Sequence, residues 1–209
     1  MTRVAVLVSG GGTNLQALLD AEKSGVLHSG KISLVISNRA AAYAVKRAEE
    51  NGVPVKILLQ KNYTKRNNSA DLFEYDRAVL ETLKENGIKL VVLAGFLSLI
   101  GKELLAAFPE RIINVHPSLL PSFGGRGFYG LKVHEAALER GVKVSGATVH
   151  YVNESIDGGK IILQKAVDVK EGDTPETLQR RIMEEAEWIL LPAAVEMLCK
   201  KIASEEKET

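Results

Sequence analysis

Short apolar runs alternate along this chain with stretches of helical periodicity. Residues 3–8 are apolar and valine-rich, too short for a stable helix, and predict a strand buried on both faces. Residues 31–37, 53–59, 89–94 and 111–115 repeat that pattern. Between them, Leu15, Leu18 and Leu19 recur at helical spacing, and 43–51 reads as a helix closed by Gly52. Leu72, Tyr75, Val79, Leu80 and Leu83 form one apolar stripe ending at Gly87, with Asp71 as its N-cap and Glu74 three residues on. Residues 102–108 and 134–140 are shorter helices. Strand following helix in this way predicts an α/β protein with a doubly wound, mostly parallel, twisted sheet. The pattern then changes. Residues 143–152 and 160–169 read as two strands joined by a turn over 153–159, so a C-terminal antiparallel hairpin is expected. A long final helix begins at Asp173 or Thr174, with Pro175 in its first turn, and runs to about Ile202. Residues 204–209 read as a charged, frayed tail. Neither repeat nor linker interrupts the pattern, so one domain over 1–209 is expected.

Composition narrows the function more than the fold. With 45% apolar and 25% charged residues, the chain has the make-up of a globular protein able to bury a core. A net charge of +1 gives a nucleic-acid partner no general electrostatic support. The first apolar run spans only 4–8, too short for a signal-peptide core or a membrane span, so no membrane partner and a cytoplasmic location are expected. Cys199 is the only cysteine, which excludes an intramolecular disulfide, and no Cys/His spacing suits a metal.

Three stretches carry candidate chemistry. Ser9-Gly10-Gly11-Gly12-Thr13-Asn14 joins the first strand to the first helix. Such a turn presents free backbone N–H groups to an anion, with Thr13 and Asn14 adding side-chain donors. It reads either as a phosphate cradle or as a tight turn N-capped by Thr13 or Asn14. It matches neither a complete dinucleotide fingerprint nor a Walker A loop. Asn114-Val115-His116-Pro117 ends the fifth strand. Residues two apart in extended backbone share a side, and Pro117 stops further pairing, so an amide and an imidazole stand side by side. That suits a carbonyl-polarising donor beside a proton carrier. Asp157 lies in an Asp-Gly-Gly turn; near His116 it would raise the imidazole pKa. Four glycines in 124–130 suggest a bendable loop beside the site. His28 and His134 read as decoration, and Lys61, Lys65 and Arg66 as a solvated charge cluster.

Taken together, Ser9-Gly10-Gly11-Gly12-Thr13-Asn14-Leu15-Gln16, Ala94-Gly95-Phe96, Asn114-Val115-His116-Pro117-Ser118-Leu119-Leu120-Pro121, Gly146-Ala147-Thr148-Val149-His150 and Asp157-Gly158-Gly159 resemble the folate-dependent formyltransferases, in their phosphoribosylglycinamide branch. The resemblance covers nearly the whole chain and implies a Rossmann-like formyltransferase fold. It implies formyl transfer from 10-formyltetrahydrofolate, as co-substrate, to the amine of glycinamide ribonucleotide, without a metal, in a monomer or homodimer. Residues up to about 100 would hold the phosphoribosyl substrate, and 101–209 the folate site and catalytic groups. Asn114 would donate to the formyl oxygen. His116, as imidazolium, would stabilise the intermediate and act as acid. Asp157 would raise the His116 pKa and help move the amine proton. Gly11, Gly12, Thr13 and Asn14 would hold the phosphate, and Glu187 the sugar hydroxyls. The folate would lie against Leu97, Ser98, Leu99, Ile100 and Asn114, and against Val152, Asn153, Glu154, Ser155 and Ile156. Ser98 stands where some relatives carry arginine, and Leu72 where some carry a polar folate contact. Near Glu187 the chain runs one residue longer than some relatives, so Met183 and Glu184 take no assigned role. Alternatives are methionyl-tRNA formyltransferase, expected to carry a further basic domain; formyltetrahydrofolate hydrolase, expected to carry an N-terminal regulatory one; and a non-catalytic phosphate-binding module.

Overall fold

The computed structural model describes residues 1–63 and 69–207, the side chains of 69–72 aside. In chain order the elements are β1 (Thr2–Val8), α1 (Thr13–Ser24), β2 (Gly30–Ser37), α2 (Tyr43–Glu50), β3 (Val55–Ile57), α3 (Ser69–Glu85), β4 (Leu90–Leu93), α4 (Lys102–Ala107), β5 (Ile112–His116), α5 (Leu131–Arg140), β6 (Val144–Tyr151), β7 (Ile161–Asp168), α6 (Pro175–Ile182) and α7 (Trp188–Glu205). The strands form one seven-stranded sheet in the order β3-β2-β1-β4-β5-β6-β7. β3 through β5 pair in parallel, while β5–β6 and β6–β7 are antiparallel. Strand order reverses between β1 and β4, and ligands of such sheets gather beyond the strand C-termini at that point.

Alternation along each strand feeds two cores. Val4, Val6 and Val8 share one with Leu15 and Leu18 of α1 and with Leu191 and Val195 of α7. Ala5 and Leu7 share the other with Tyr75, Val79 and Leu83 of α3 and Leu104 of α4. Each fully buried Leu or Val in these layers contributes about 1.5–3 kcal/mol relative to exposure, which is why both strand faces are apolar. Asp76 of α3 is buried, yet its carboxylate accepts from Gly101 N–H at 2.8 Å and Leu104 N–H at 3.0 Å. It thereby caps α4 from a neighbouring helix, with the favourable charge at the positive helix end. That contact fixes the 97–101 segment at the end of β4.

Several boundaries differ from those the pattern predicts. β3 is three residues long, because Pro54 has no N–H for the ladder and only its carbonyl pairs, accepting from Val35 N–H at 2.9 Å. The apolar 58–59 pair belongs to a turn leading into a 3-10 segment at Gln60–Asn62. α3 starts at Ser69, so Asp71 lies inside the helix and is not its N-cap. Lys61 is exposed, as a solvated charge would be; Lys65, Arg66 and the side chain of Leu72 lie outside the described residues. α5 begins at Leu131, three residues before His134. The long final helix is two helices joined by a π-helical turn, Met183–Glu187. One widened turn absorbs one additional residue in a helix, and it falls beside Glu187, where the chain is expected to run longer than some relatives. Helix continues through Glu205, so the tail is shorter than expected.

Candidate active site

β5 carries Ile113 and Val115 to the α1/α7 core and Ile112 to the α3/α4 core. The two-residue period therefore puts Asn114 and His116 on the α3/α4 face, one after the other. Beyond the α4 cap that face opens into a cavity of about 480 Å³. Asn114, His116, His150 and Asp157 line it, with segments 95–100, 125–130 and 152–156. All of the expected folate contacts are among these lining residues.

Backbone carbonyls set the proton positions. His116 Nε2 donates to Phe123 O at 2.8 Å, which leaves Nδ1 as its basic atom. That atom faces Asp157 Oδ2 at 3.5 Å. His150 Nδ1 donates to Tyr151 O at 2.8 Å, leaving Nε2 to accept from Asn114 Nδ2 at 3.1 Å. Asp157 Oδ1 is 3.7 Å from His150 Nε2, beyond hydrogen-bond length. The Tyr151 carbonyl thus decides the His150 tautomer, and the Asn114 amide, its nitrogen turned to His150, keeps its second N–H for the cavity. Asp157 is held in a left-handed conformation, φ 54, and accepts from Gly125 N–H at 2.9 Å.

Burial pushes the His116 pKa below its ordinary value of 6.5; Asp157 and the Phe123 carbonyl pull it up, His150 pushes it down, and burial wins. Asp157 thus raises the His116 pKa as expected, but burial outweighs it, so the net shift is downward and favours the neutral imidazole. The His116 side chain is only 5% exposed, so desolvation of the cation outweighs one anion at 3.5 Å. Burial works against the Asp157 carboxylate too, but the two histidines and the Gly125 N–H more than offset it and hold its pKa below the usual range. Behind His116, His134 is fully buried, and burial followed by the neighbouring His116 lowers its pKa to about 4.

The turn after Pro117 is laced to the hairpin. Thr148 Oγ1 donates to Ser118 O at 2.6 Å and accepts from Leu120 N–H at 3.0 Å, while Gln164 Nε2 donates to Leu120 O at 2.9 Å. Pairing of Asn114 with His150 and of His116 with Thr148 across β5 and β6 makes this possible.

At the end of β1, Gly12 is the N-cap of α1 at φ 72, with no side-chain cap. The alternative of a Thr13 or Asn14 cap is not what forms; both residues lie inside the first turn. A Cβ at Gly12 would come within 2.6 Å of the Ala44 Cβ, so α2 packs where only glycine fits. Gly10 O accepts from Ala44 N–H at 3.1 Å and Gly11 O from Arg47 Nε at 2.9 Å, which turns the carbonyls toward α2. The first bond of α1 is Gln16 N–H to Gly12 O, so the N–H groups of Thr13, Asn14 and Leu15 have no partner within the helix. Thr13 Oγ1 lies 3.7 Å from Met183 Sδ, and Asn14 Nδ2 donates to Glu187 Oε2 at 2.6 Å. Asn14 Oδ1 is buried without a partner among the described residues. Glu187 is 6% exposed; burial raises its pKa to about 7 against the Asn14 contact. Gly11 to Asn14 do not line the cavity, but Ser9 Oγ accepts from Leu97 N–H at 2.9 Å and ties the two regions together.

The sequence left His150 without a role and showed the 124–130 loop only as a bendable loop beside the site. Alternation along β6 held the signal for His150, since Thr148 and His150 share a face; which strand β6 pairs with is a matter of tertiary structure.

Comparison with known proteins agrees with this layout. The family model described as "Formyl transferase" matches residues 2–195. The chain is 41% identical over 199 residues to the chloroplastic phosphoribosylglycinamide formyltransferase of Arabidopsis thaliana, covering 95% of this chain but 66% of that one. It spans about two-thirds of that plant relative and 18% of the trifunctional purine biosynthetic protein adenosine-3 of Homo sapiens. The phosphoribosylglycinamide formyltransferase of Haemophilus influenzae is 38% identical over 195 residues, 93% of this chain and 86% of its own length. The crystal structure of glycinamide ribonucleotide transformylase 1 from Symbiobacterium toebii superposes with a TM-score of 0.87 at 45% identity, covering 96% of this chain and 89% of that one. With a family model running from β1 into α7 and a bacterial relative matched over most of its length, this chain belongs to the formyl transferase family, in its phosphoribosylglycinamide formyltransferase branch.

Proposed function

We propose that the protein transfers the formyl group of 10-formyltetrahydrofolate to the amine of glycinamide ribonucleotide, giving formylglycinamide ribonucleotide and tetrahydrofolate in de novo purine synthesis. The observation that carries this reading is the convergence of Asn114, His116 and Asp157 on one cavity two strands away from the β1 turn. Adjacent strands lie about 4.8 Å apart, so the end of β1 and the end of β5 are separated by roughly 10 Å. That is about the reach of a phosphorylated ribose carrying a glycinamide arm.

In this reading the α1 N-terminus and Gly11, Gly12, Thr13 and Asn14 hold the phosphate, through the unpaired N–H groups and the helix dipole. Glu187 contacts the sugar, and the Asn14–Glu187 contact links the two subsites. Leu97, Ser98, Leu99, Ile100 and 152–156 take the flat rings of the folate between apolar side chains and backbone donors and acceptors. Soluble, charged substrates of this kind fit a cytoplasmic location.

The amine nitrogen bonds to the formyl carbon as negative charge grows on the formyl oxygen. The free N–H of Asn114 faces that charge. Nδ1 of neutral His116 accepts the proton leaving the amine, and Asp157 stabilises the imidazolium that forms. His116 then returns the proton to the folate nitrogen as its bond to carbon breaks, so protons balance over the cycle. His116 thus starts as base and becomes the imidazolium acid that the resemblance implies.

The test is an absorbance assay of formyl transfer, omitting each substrate in turn. Turnover should need both. Release of formate at a similar rate without the ribonucleotide would mean hydrolysis and overturn the reading.

A further inference from the structure

We propose that Arg126 binds the carboxylates of the glutamyl tail of the folate and makes the enzyme distinguish a glutamylated folate from a bare pteroate. The proposal rests on reading the cavity as the folate site. Its walls expose large apolar side chains: Leu97, Leu99, Tyr129 and Ile156 are each 45–53% exposed. A flat aromatic ligand would cover them. Charge on the lining is sparse by contrast. His116, His150 and Asp157 sit at the buried end and are tied to one another. Glu154 at the rim is paired with Lys102 at 3.5 Å. Ser98, on the β4 side, is held between the neutral groups of Asn38 and Gln60. Arg126 is the single lysine or arginine among the described lining residues. It is exposed, and no ion pair or hydrogen bond among the described residues engages it.

The backbone holds this side chain out on purpose-shaped geometry. Phe128 N–H donates to Gly125 O at 3.2 Å, closing a four-residue turn with Arg126 and Gly127 at its corners. Gly127, at φ 98, supplies the positive φ that a type II turn demands at its third position, and Gly125, at φ 93, makes the turn's entry. The base of the turn is fastened to the site, because Gly125 N–H donates to Asp157 Oδ2. Phe123 and Phe128 pack edge to face at 6.3 Å beneath it. Arg126 therefore projects from a tip whose root is the catalytic aspartate.

Folate chemistry supplies the complement. The reacting nitrogen lies midway along the molecule, between the pterin and the benzoyl-glutamate. With that nitrogen at Asn114 and His116, the glutamyl end leaves through the rim. A planar guanidinium pairs with a carboxylate through two parallel N–H bonds, and the pair is charge-assisted.

The experiment compares wild type, Arg126→Gln and Arg126→Lys in the complete chain. The donors are 10-formyltetrahydropteroate and its mono- and triglutamate. Wild type should show a KM for the glutamylated donor roughly tenfold below that for the pteroate, the effect of one charge-assisted pair at a solvated rim. In Arg126→Gln that ratio should collapse toward one, the loss falling on KM of the glutamylated donor, with Arg126→Lys between the two. An unchanged ratio overturns the proposal. So does a rise confined to the KM of the ribonucleotide, which would assign Arg126 to the phosphate. Equilibrium binding of folate and pteroate, read by quenching of protein fluorescence, needs no turnover. If transfer itself fails, the functional reading falls, while equal affinities in this second measurement separately overturn the role of Arg126.

Discussion

Replacing Asp157 with asparagine removes one charge and little else. The backbone there has φ 54, which asparagine tolerates better than most residues, and an amide oxygen can still accept the Gly125 N–H. What disappears is the anion 3.5 Å from His116 Nδ1. Two unit charges at that separation attract by about 5 kcal/mol at an effective dielectric of about 20. The carboxylate is itself desolvated and the new amide keeps a dipole, so about half of this, roughly 2–3 kcal/mol, is the expected net loss of imidazolium stability. The mechanism forms the imidazolium only when the amine proton arrives, so the loss falls on the chemical step. We expect kcat to drop roughly a hundredfold, which corresponds to about 2.7 kcal/mol. The sign of the pH effect follows from the resting state. Neutral His116 is the reactive form, so activity is lost as pH falls through its pKa. Asp157 raises that pKa against burial; without it the pKa drops further, and the acid limb of kcat/KM moves to lower pH with it. Formyl-transfer rates measured from about pH 5 to about pH 9, with thermal melts to confirm folding, would show both changes. A kcat within threefold of wild type, or an acid limb that stays put or moves up, would refute the reasoning.

Two further outcomes follow from neighbouring groups. His150→Phe removes the acceptor that orients the Asn114 amide, so kcat should fall roughly tenfold to hundredfold, the range for losing one aimed donor, while KM for the ribonucleotide holds. His150→Gln, which keeps an acceptor, should recover part of the rate; an unimpaired His150→Phe enzyme would sink the idea. Glu187 is a stability probe. Its pKa is raised from 4.5 to about 7 by burial, so between those values the folded chain keeps a proton that the unfolded chain has lost. Folded stability should therefore fall as pH rises from about 4.5 to about 7 and level off above, by up to about 3 kcal/mol. Urea titrations of Glu187→Gln should lack that slope, and parallel pH curves for the two proteins would remove the assignment.

How far the sequence was legible depended on whether a feature was local. Runs such as Val4 to Val8 and Leu90 to Leu93 announce strands because both their faces are buried. The α/β alternation and the C-terminal hairpin followed from them. The length of β3 did not, because a single proline on an edge strand decides it. Nor did the break at Met183–Glu187, since an extra residue leaves the apolar spacing of a helix almost unchanged. Asn114, His116 and Asp157 were readable as a set from motif and resemblance. The downward shift of the His116 pKa was not: sequence shows the nearby carboxylate but not how deeply the imidazole is buried.

The site's proton positions are set by the main chain more than by its acidic group. Phe123 O fixes the His116 tautomer, and Tyr151 O fixes that of His150. A carbonyl only accepts, so each histidine must offer its lone pair on the other nitrogen. For His150 that lone pair faces Asn114 and obliges the amide to turn its nitrogen inward, leaving an N–H where the proposed mechanism places the growing negative charge. For His116 it faces Asp157, where a proton can be received and the resulting cation stabilised. Neither carbonyl can titrate or rotate away, since Phe123 O belongs to a turn laced to Thr148 and Gln164 and Tyr151 ends β6. Side-chain partners in those places would have had to be ordered for each turnover. Backbone partners keep that reorganisation out of the barrier, so pre-organisation here depends on the register of β5 against β6. A one-residue slip in that pairing would turn His150 to the opposite face and leave the Asn114 amide without a fixed direction.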